Sequence, residues 1–199
     1  MNPTNTRTDI TNDLWEPLLT RLDRLLAERP VILAIEGGSA SGKSTLAAHL
    51  EERYGCTVFH MDDFFLRPEQ RTPKRFAEAG GNVDRERFLD EVLRPLAAGK
   101  TVYYSRFNCS DMTLLPPVEV EPRRLTVVEG AYSMHPDLRG YYDLSVFLNI
   151  SPTRQRARIE VRNPDSADRF FERWIPLERR YFDAMDIQNH CDLIIDVTD

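Results

Sequence analysis

The sequence predicts an α/β fold with a five-stranded, mostly parallel sheet, helices on both faces and a small helical lid. Three observations support this prediction. Short apolar runs alternate along the chain with segments whose apolar residues recur at helical spacing. The run Val31–Ile35 is apolar throughout, which is typical of a strand buried on both faces. A glycine-rich turn then joins this run to a helical segment.

The chain before this first strand has the pattern of an amphipathic helix. Leu14, Leu18 and Leu22 recur at helical spacing, with charged residues between them. We predict a helix over 13–28 that is capped by Asn12 or Asp13. The chain is therefore expected to consist of an N-terminal helix in residues 1–29 and a main domain in residues 30–199.

The remaining segments alternate between strand and helix patterns. Strands are predicted at 57–60, 102–104, 125–128, 144–148 and 193–195, and helices at 43–54, 85–98, 152–162 and 166–186. The charged stretch from Leu66 to Asn82 contains prolines and glycines, so we predict a mobile loop there. Strands that alternate with helices form a mostly parallel sheet covered on both sides.

Composition and charge exclude several classes of protein. The chain has 199 residues with 26 basic and 32 acidic side chains, and a net charge of −6 argues against a general nucleic-acid binder. No apolar run approaches the roughly 18 residues of a membrane span, and Met1–Asp13 lacks the apolar segment of a secretory signal. Cys56, Cys109 and Cys191 fit neither a disulfide framework nor a zinc spacing. We expect a cytoplasmic protein with a small-molecule substrate and no nucleic-acid or membrane partner. A homo-oligomer is left open.

The strongest motif lies between the first predicted strand and the helix that follows it. It fits G-x-x-x-x-G-K-[ST], the phosphate-binding loop or P-loop, in the structural context that this motif requires. Glycines allow the backbone N–H groups to point at phosphate oxygens, and the helix N-terminus adds its positive dipole. Lys43 can reach the β- and γ-phosphates, and the Ser44 hydroxyl can ligate Mg²⁺. The candidate nucleotide-binding residues are Gly37, Gly38, Ser39, Ala40, Ser41, Gly42, Lys43, Ser44 and Thr45.

Two acidic segments follow predicted strands. Asp62 comes just after the strand at 57–60, and Glu129 ends the strand at 125–128. Ligands of open parallel sheets bind at the carboxyl ends of strands, so both acids are expected beside the P-loop. Asp62 can accept the proton of an attacking hydroxyl. Glu129 can hold Mg²⁺ or support the base, and Asp62 is a further candidate for the metal site. A helix cap or a strand-end acid with no catalytic role is the alternative for each.

Arginines form a row on the helix predicted over 152–162. Arg154, Arg158 and Arg162 repeat at a spacing of four residues, so they lie on one face. Such a row can close over transferring phosphate as a lid, which we place at about 154–170. The alternative is a solvated basic face paired with Glu160.

Together these residues resemble the uridine kinase family of small-metabolite kinases, which is related to phosphoribulokinase and nicotinamide riboside kinase. The resemblance covers roughly residues 30–198 and includes the P-loop, Asp62-Asp63-Phe64-Phe65, Asn82-Val83-Asp84 and Glu129-Gly130. It implies a P-loop fold of the nucleoside and nucleotide kinase type. It also implies that ATP and Mg²⁺ are used, that Asp62 is the catalytic base and that Arg158 and Arg162 are lid arginines.

The same resemblance implies how the acceptor is bound. Asp84 falls where the family grips ribose hydroxyls. The segment around Tyr103 and Tyr104 falls in the nucleobase region, where one of these rings could stack on a substrate ring. This region lacks the histidine of uridine kinases, and Arg106 could instead meet an acidic or phosphorylated substrate. We therefore expect phosphoryl transfer from ATP to a hydroxyl of a small metabolite, with a ribonucleoside such as uridine as first choice. Nicotinamide riboside, pantothenate, a sugar or a non-catalytic nucleotide-binding module are the alternatives.

Overall fold

The computed structural model describes the backbone of residues 6–197 and the side chains of residues 14–197. The strands, in chain order, are β1 (Val31–Gly37), β2 (Thr57–His60), β3 (Val102–Tyr104), β4 (Phe107–Asn108), β5 (Thr113–Leu114), β6 (Val118–Val120), β7 (Leu125–Glu129), β8 (Leu144–Asn149) and β9 (Leu193–Asp196). The helices are α1 (Thr6–Glu28), α2 (Lys43–Tyr54), α3 (Pro73–Ala77), α4 (Arg85–Phe88), α5 (Arg94–Ala97), α6 (Pro152–Arg162), α7 (Ala167–Arg169) and α8 (Ile175–Ala184). None of the helices within this described part is both long and apolar enough to cross a bilayer.

The main sheet has five parallel strands in the order β2-β7-β1-β8-β9. This arrangement confirms the predicted fold class. Alternate residues of β1 point to opposite faces of the sheet, because successive side chains of a strand alternate. Leu33 and Ile35 enter a core with α1 and α2, whereas Ala34 enters a second core with α4 and α8. Both faces of the sheet are therefore covered, which explains the continuous apolar run.

The N-terminal helix begins earlier than predicted. Helix α1 starts at Thr6, so Asn12 and Asp13 lie within the helix and not at its N-cap position, and that part of the prediction was wrong. The apolar residues Trp15, Leu18 and Leu22, which follow the pattern, are buried against the sheet. Periodicity therefore marks the contact with the core and not the start of the helix.

Two other segments differ from the sequence prediction. The strand at 102–104 lies outside the main sheet and pairs with β6 in an antiparallel hairpin. Strands β4 and β5 form a second short hairpin that the pattern did not predict. The stretch 66–82 is not a featureless loop, because it contains α3 and a short 3₁₀ turn at 68–70. The Arg75 guanidinium bonds to the carbonyl groups of Gly81 and Val83 and so ties this stretch to the chain that follows.

The two long predicted helices are each interrupted by a wider turn. Helices α4 and α5 are joined by a π-helical turn at 89–93, and α7 and α8 by another at 170–174. Such π turns shift the helical register by one residue and are frequent near functional sites. The second π turn sets the register of α8, the helix that contacts the P-loop.

Candidate active site

The P-loop and the two predicted acids meet at one edge of the sheet. Strands β2, β7 and β1 are neighbours, and their carboxyl ends lead to Asp62, Glu129 and the P-loop, respectively. His60 pairs with Glu129 across the ladder, and Ile35 pairs with Glu129 on the other side. The parallel topology therefore places three chain segments that are far apart in sequence around a single cleft.

The P-loop has the backbone conformation that its glycines predict. Gly37 and Gly42 have φ values of 146° and 103°, a region that residues with a side chain rarely adopt. A Cβ added at Gly37 would lie 2.7 Å from the carbonyl oxygen of Leu148, so any side chain is also excluded sterically. Helix α2 begins directly after the loop, at Lys43. The Lys43 Nζ atom donates to the carbonyl oxygens of Gly37 and Gly38 at 2.9 Å each, which holds the ammonium over the loop.

Ser44 and Glu129 form the candidate magnesium site. The Ser44 hydroxyl donates to Glu129 Oε1 at 3.2 Å, and His60 Nδ1 lies 2.6 Å from the same oxygen. Burial alone would raise the pKa of Glu129, but the hydrogen bonds from His60 and Ser44 and the charge of Lys43 outweigh it and lower that pKa. The bond to Glu129 raises the pKa of His60. Glu129 is therefore ionised and available as a ligand.

This donor set suits Mg²⁺ bound together with a nucleotide. A hydroxyl and a carboxylate are the hard oxygen ligands that Mg²⁺ prefers, and Mg²⁺ in kinase sites takes its other ligands from phosphate and water. Among the side chains of residues 14–197, no group of three or more histidine, cysteine or acidic residues is arranged to hold a metal. A resident metal site built of protein side chains alone is thus not found in this part of the chain.

The adjacent acids Asp62 and Asp63 face different neighbours. Burial raises the pKa of Asp62, while Lys43 lowers it and Glu129 raises it. Burial also raises the pKa of Asp63; His60 opposes the rise at both acids, whereas the charges of Arg106 and Arg87 oppose it at Asp63. Asp62 keeps surface accessible to solvent although many protein atoms surround its carboxylate, and the charges of Lys43 and Glu129 act on it from the P-loop side.

The arginines of α6 have separate partners. Arg158 Nη1 donates to the carbonyl oxygen of Ala40 in the P-loop at 3.1 Å. Arg162 is exposed, donates to its neighbour Asn163, and its charge also opposes the rise in the pKa of Asp62. Arg154 bonds to the carbonyl oxygen of Val197, and Arg156 pairs with Glu160 at 3.2 Å. Arg158 and Arg162 therefore lie on the side of the cleft. Arg156 instead forms an exposed ion pair with Glu160, the arrangement given above as the alternative for all arginines of this helix.

Comparison with known proteins identifies the family. The model of the phosphoribulokinase / uridine kinase family matches residues 32–160. The chain belongs to the phosphoribulokinase / uridine kinase family. It is 27% identical over 139 residues to a phosphoribulokinase from Synechocystis sp., covering 67% of this chain and 40% of that protein. It is 30% identical over 129 residues to a uridine kinase from Chloroflexus aurantiacus, covering 60% and 61% of the two chains. This chain thus spans less than two thirds of the length of either relative.

The fold of this phosphoribulokinase / uridine kinase family member also matches solved structures. A structure described as a possible uridine kinase from Bacillus stearothermophilus superposes with a TM-score of 0.66, covering 90% of this chain and all of that one. The two chains are 21% identical, so this similarity shows the shared fold.

The three residues expected to bind the acceptor differ in their accessibility: Asp84 and Tyr104 are buried, whereas Arg106 is exposed. Asp84 is almost fully buried and caps α4 by accepting from the Arg87 backbone N–H at 3.2 Å. Its other oxygen accepts from Arg67 Nε at 3.3 Å. Tyr104 is also buried, and its ring stacks on Phe64 with a centroid distance of 5.6 Å. A stacking role for Tyr104 is thus inconsistent with this arrangement, because its ring belongs to the core. Arg106 is exposed and near Asp63.

Four residues at the site were not predicted from the sequence. Glu178 and Gln155 bond to the P-loop residue Ser39, Glu36 lies directly before the loop, and His60 bonds to Glu129. Glu178 and Gln155 lie in helices, where glutamate and glutamine are common on the surface. Nothing in their position along the sequence indicates that they contact the P-loop. Glu36 is the one polar residue in an otherwise apolar strand, and this anomaly is a signal that could have been used.

Proposed function

We propose that the protein transfers the γ-phosphoryl group of ATP, as its Mg²⁺ complex, to a hydroxyl group of a small metabolite. The observation that supports this proposal best is the meeting of Lys43, Ser44, Asp62 and Glu129 at the edge formed by three adjacent parallel strands. A phosphate cradle alone implies nucleotide binding. A carboxylate facing that cradle adds a group that can take a proton from an acceptor.

The residues of the cleft divide the work of phosphoryl transfer. The P-loop amides and the N-terminus of α2 bind phosphate oxygens, and Lys43 neutralises charge on the β- and γ-phosphates. Ser44 and Glu129 would hold Mg²⁺, which when bound would supply positive charge that stabilises the charge developing on the phosphates. Asp62 accepts the proton of the attacking hydroxyl. Arg158 and Arg162 add positive charge from the lid side, where closure of the lid would exclude water.

For the acceptor, we propose a ribonucleoside such as uridine as the first compound to test. Support comes from the family, because a relative that is 30% identical is a uridine kinase. Asp84 would grip vicinal hydroxyls only after Arg67 turns away from it. Arg67 is half-buried and its bond to Asp84 is 3.3 Å long, and Arg87 Nε lies 3.6 Å from the same carboxylate oxygen, so a substrate hydroxyl would displace Arg67 and share Asp84 with Arg87.

A sugar is the second candidate acceptor, favoured by the burial of Tyr104. The Tyr104 ring packs on Phe64 and Phe59 and the residue is only 8% exposed, so little of it is accessible to a nucleobase. Tyr103 is exposed but lies opposite Glu119 on the β3–β6 hairpin. A relative that is 29% identical over 180 residues is a bifunctional alpha-galactosidase/sucrose kinase from Mediterraneibacter gnavus, of which this chain covers 19%. Nicotinamide riboside and pantothenate complete the set of acceptors to compare.

The test is ADP release from Mg-ATP across a panel of nucleosides, sugars, nicotinamide riboside and pantothenate. We expect one class of hydroxyl compound to stimulate ADP release at least tenfold above the rate with water alone, and Lys43→Ala to abolish the stimulation. Lys74→Ala, which changes an exposed lysine of α3, is the matched control. Binding of ATP with no turnover on any compound would favour the alternative, a nucleotide-binding regulatory module.

The setting of this activity is also a proposal. We propose a cytoplasmic enzyme whose partner is its small-molecule substrate, and not a nucleic acid or a membrane. The net charge of −6 supports this choice, because a polyanion would be repelled by most of the surface.

A further inference from the structure

One residue of the P-loop, Ser39, is held from two sides by helices that are distant in sequence. Its backbone N–H donates to Glu178 Oε2 at 2.9 Å, and its hydroxyl donates to Glu178 Oε1 at 2.6 Å. Its carbonyl oxygen accepts from Gln155 Nε2 at 2.9 Å. Glu178 lies on α8 and Gln155 on the lid helix α6. Ser39 is therefore a junction between the P-loop, the lid and α8.

Both side chains that hold Ser39 are buried. Glu178 is 5% exposed and Gln155 is 6% exposed. Burial raises the pKa of Glu178, and its hydrogen bonds to Ser39 and the charge of Lys43 oppose that rise. A buried carboxylate is costly unless it is hydrogen-bonded, and both of its oxygens have a partner in Ser39. The contacts are thus formed in a closed environment where each bond is strong.

Helix α8 contacts the start of the P-loop at a second point. One turn after Glu178, the Tyr181 hydroxyl donates to Glu36 Oε2 at 3.1 Å. Glu36 Oε1 in turn accepts from the Gly37 backbone N–H at 2.8 Å. Helix α8 therefore accepts directly from the Ser39 N–H through Glu178, and it reaches the Gly37 N–H only through the Glu36 carboxylate that Tyr181 contacts. This helix is the support on which the first half of the loop is built.

The grip on Ser39 determines where the next amide points. A trans peptide is planar, and its C=O and N–H groups point in opposite directions. When Gln155 holds the Ser39 carbonyl oxygen, the Ala40 N–H must point in the opposite direction within that peptide plane, away from Gln155. Ala40 has a φ of 61°, a left-handed conformation that a non-glycine residue adopts at some cost. The bonds at Ser39 offset that cost and keep the segment in place.

The loop also packs closely on these two side chains at Gly38. A Cβ added at Gly38 would lie 2.9 Å from Gln155 Nε2 and 3.4 Å from Glu178 Oε2. The loop therefore packs directly on the two side chains that hold it. A loop held in one conformation before binding loses less entropy when phosphate enters.

We propose that Glu178 is a positioning residue for phosphoryl transfer, which presets the Ser39–Ala40 segment of the P-loop together with Gln155. This inference rests on the proposed function only for nucleotide binding and not for the identity of the acceptor. Glu178 acts through Ser39 and does not touch the phosphates. Its negative charge disfavours a bound polyphosphate, so its benefit lies in the geometry that it imposes.

The test compares Glu178→Ala and Glu178→Gln with Asp183→Ala, which removes an exposed acid from the same helix. Affinity for a non-hydrolysable ATP analogue with Mg²⁺ is measured by calorimetry, and protection of the loop amides by hydrogen exchange. Because a hydrogen bond to a charged group is worth roughly a factor of ten in an equilibrium constant, Glu178→Ala should weaken binding about tenfold. It should also speed exchange at Ser39. Glu178→Gln keeps an acceptor for the Ser39 N–H and should stay within about threefold of the native protein.

The remaining outcomes separate this inference from the proposed function. Native-like binding and exchange in a folded Glu178→Ala protein would overturn the positioning role. An equal loss of binding affinity in Glu178→Gln and Glu178→Ala, with the Ser39 amide still protected from hydrogen exchange, would also overturn it. The cause would then be the lost charge of Glu178 and not the position of the loop. Failure of the native protein to bind the analogue would overturn the proposed function as well. If Glu178→Ala does not fold, Ser39→Ala removes one of the two bonds without opening the core, and a smaller loss of about threefold is expected. Unchanged binding in that variant would count against the role.

Discussion

Glu36 makes the stability of this protein depend on pH in a direction opposite to that of most acidic groups. The residue is fully buried at the end of β1, directly before the P-loop. Its carboxylate accepts from the backbone N–H groups of Gly37 and Met134 and from the Tyr181 hydroxyl. Burial still dominates these bonds and raises the pKa of Glu36 from 4.5 to about 7.

The sign of the effect follows from where the proton is bound. Between pH 4.5 and 7 the folded protein keeps a proton on Glu36 that the unfolded chain has lost. The contribution of this group to stability is therefore full below pH 4.5 and is lost as the pH rises to about 7. One pKa unit is about 1.4 kcal/mol, so a shift of this size corresponds to about 3 kcal/mol in the free energy of unfolding.

The assay is urea unfolding of the native protein and of Glu36→Gln at pH 5, 6, 7 and 8, with two-state behaviour checked by two probes. Glutamine cannot titrate, so the native protein should lose about 3 kcal/mol relative to the variant between pH 5 and 8. The offset between the curves at low pH reports the changed hydrogen bonds, since a glutamine amide group would face a backbone N–H. Glu172→Gln, at an exposed glutamate, is the control. Parallel curves for the native and Glu36→Gln proteins would refute the reasoning.

Three further predictions concern the cleft. Asp62→Asn should lower kcat by roughly 10²–10⁴-fold with nucleotide affinity nearly unchanged, whereas Asp63→Asn should lower kcat far less. The reverse order of kcat values in steady-state kinetics would exclude Asp62 as the base. Asp84→Asn, which keeps an oxygen for capping α4, should raise KM for a ribonucleoside much more than KM for ATP, and equal use of ribo- and 2′-deoxyribonucleosides would remove Asp84 from this role. Segments 66–82 and 154–170 should exchange amide hydrogens more slowly when nucleotide and acceptor are both bound, and exchange that is unchanged by the ligands would contradict closure.

The elements of this fold could be predicted wherever a local pattern reflects burial. The runs at 31–35 and 144–148 are strands of the main sheet because both of their faces are covered, and this leaves a continuous apolar run in the sequence. The run at 102–104 has similar residues but forms a hairpin with β6. Pairing partners are set by contacts between distant segments, which a local pattern does not contain.

The candidate site shows the same division. The P-loop was predictable as a unit, because its glycines, lysine and serine are contiguous and each is required by local backbone geometry or by phosphate chemistry. The neighbours of Asp62 and Asp63 were decided by the strand order β2-β7-β1, which brings Lys43 and Glu129 to the first acid. Asp84 and Tyr104 were assigned by resemblance to acceptor binding, yet the structure occupies the first with arginines and packs the second in the core.

The sequence by itself determined the phosphate-binding loop, the alternation of strands and helices and the acids at two strand ends, because each depends on residues that are adjacent or regularly spaced. Only the tertiary structure decided that Glu178 and Gln155 hold the loop at Ser39 and that Glu36 lies fully buried behind it. The contacts at Ser39 join residues more than one hundred positions apart. The effects of Glu36, Gln155 and Glu178 depend on burial and on the direction of single hydrogen bonds. These are properties of the folded chain, and no periodic pattern in the sequence indicates them.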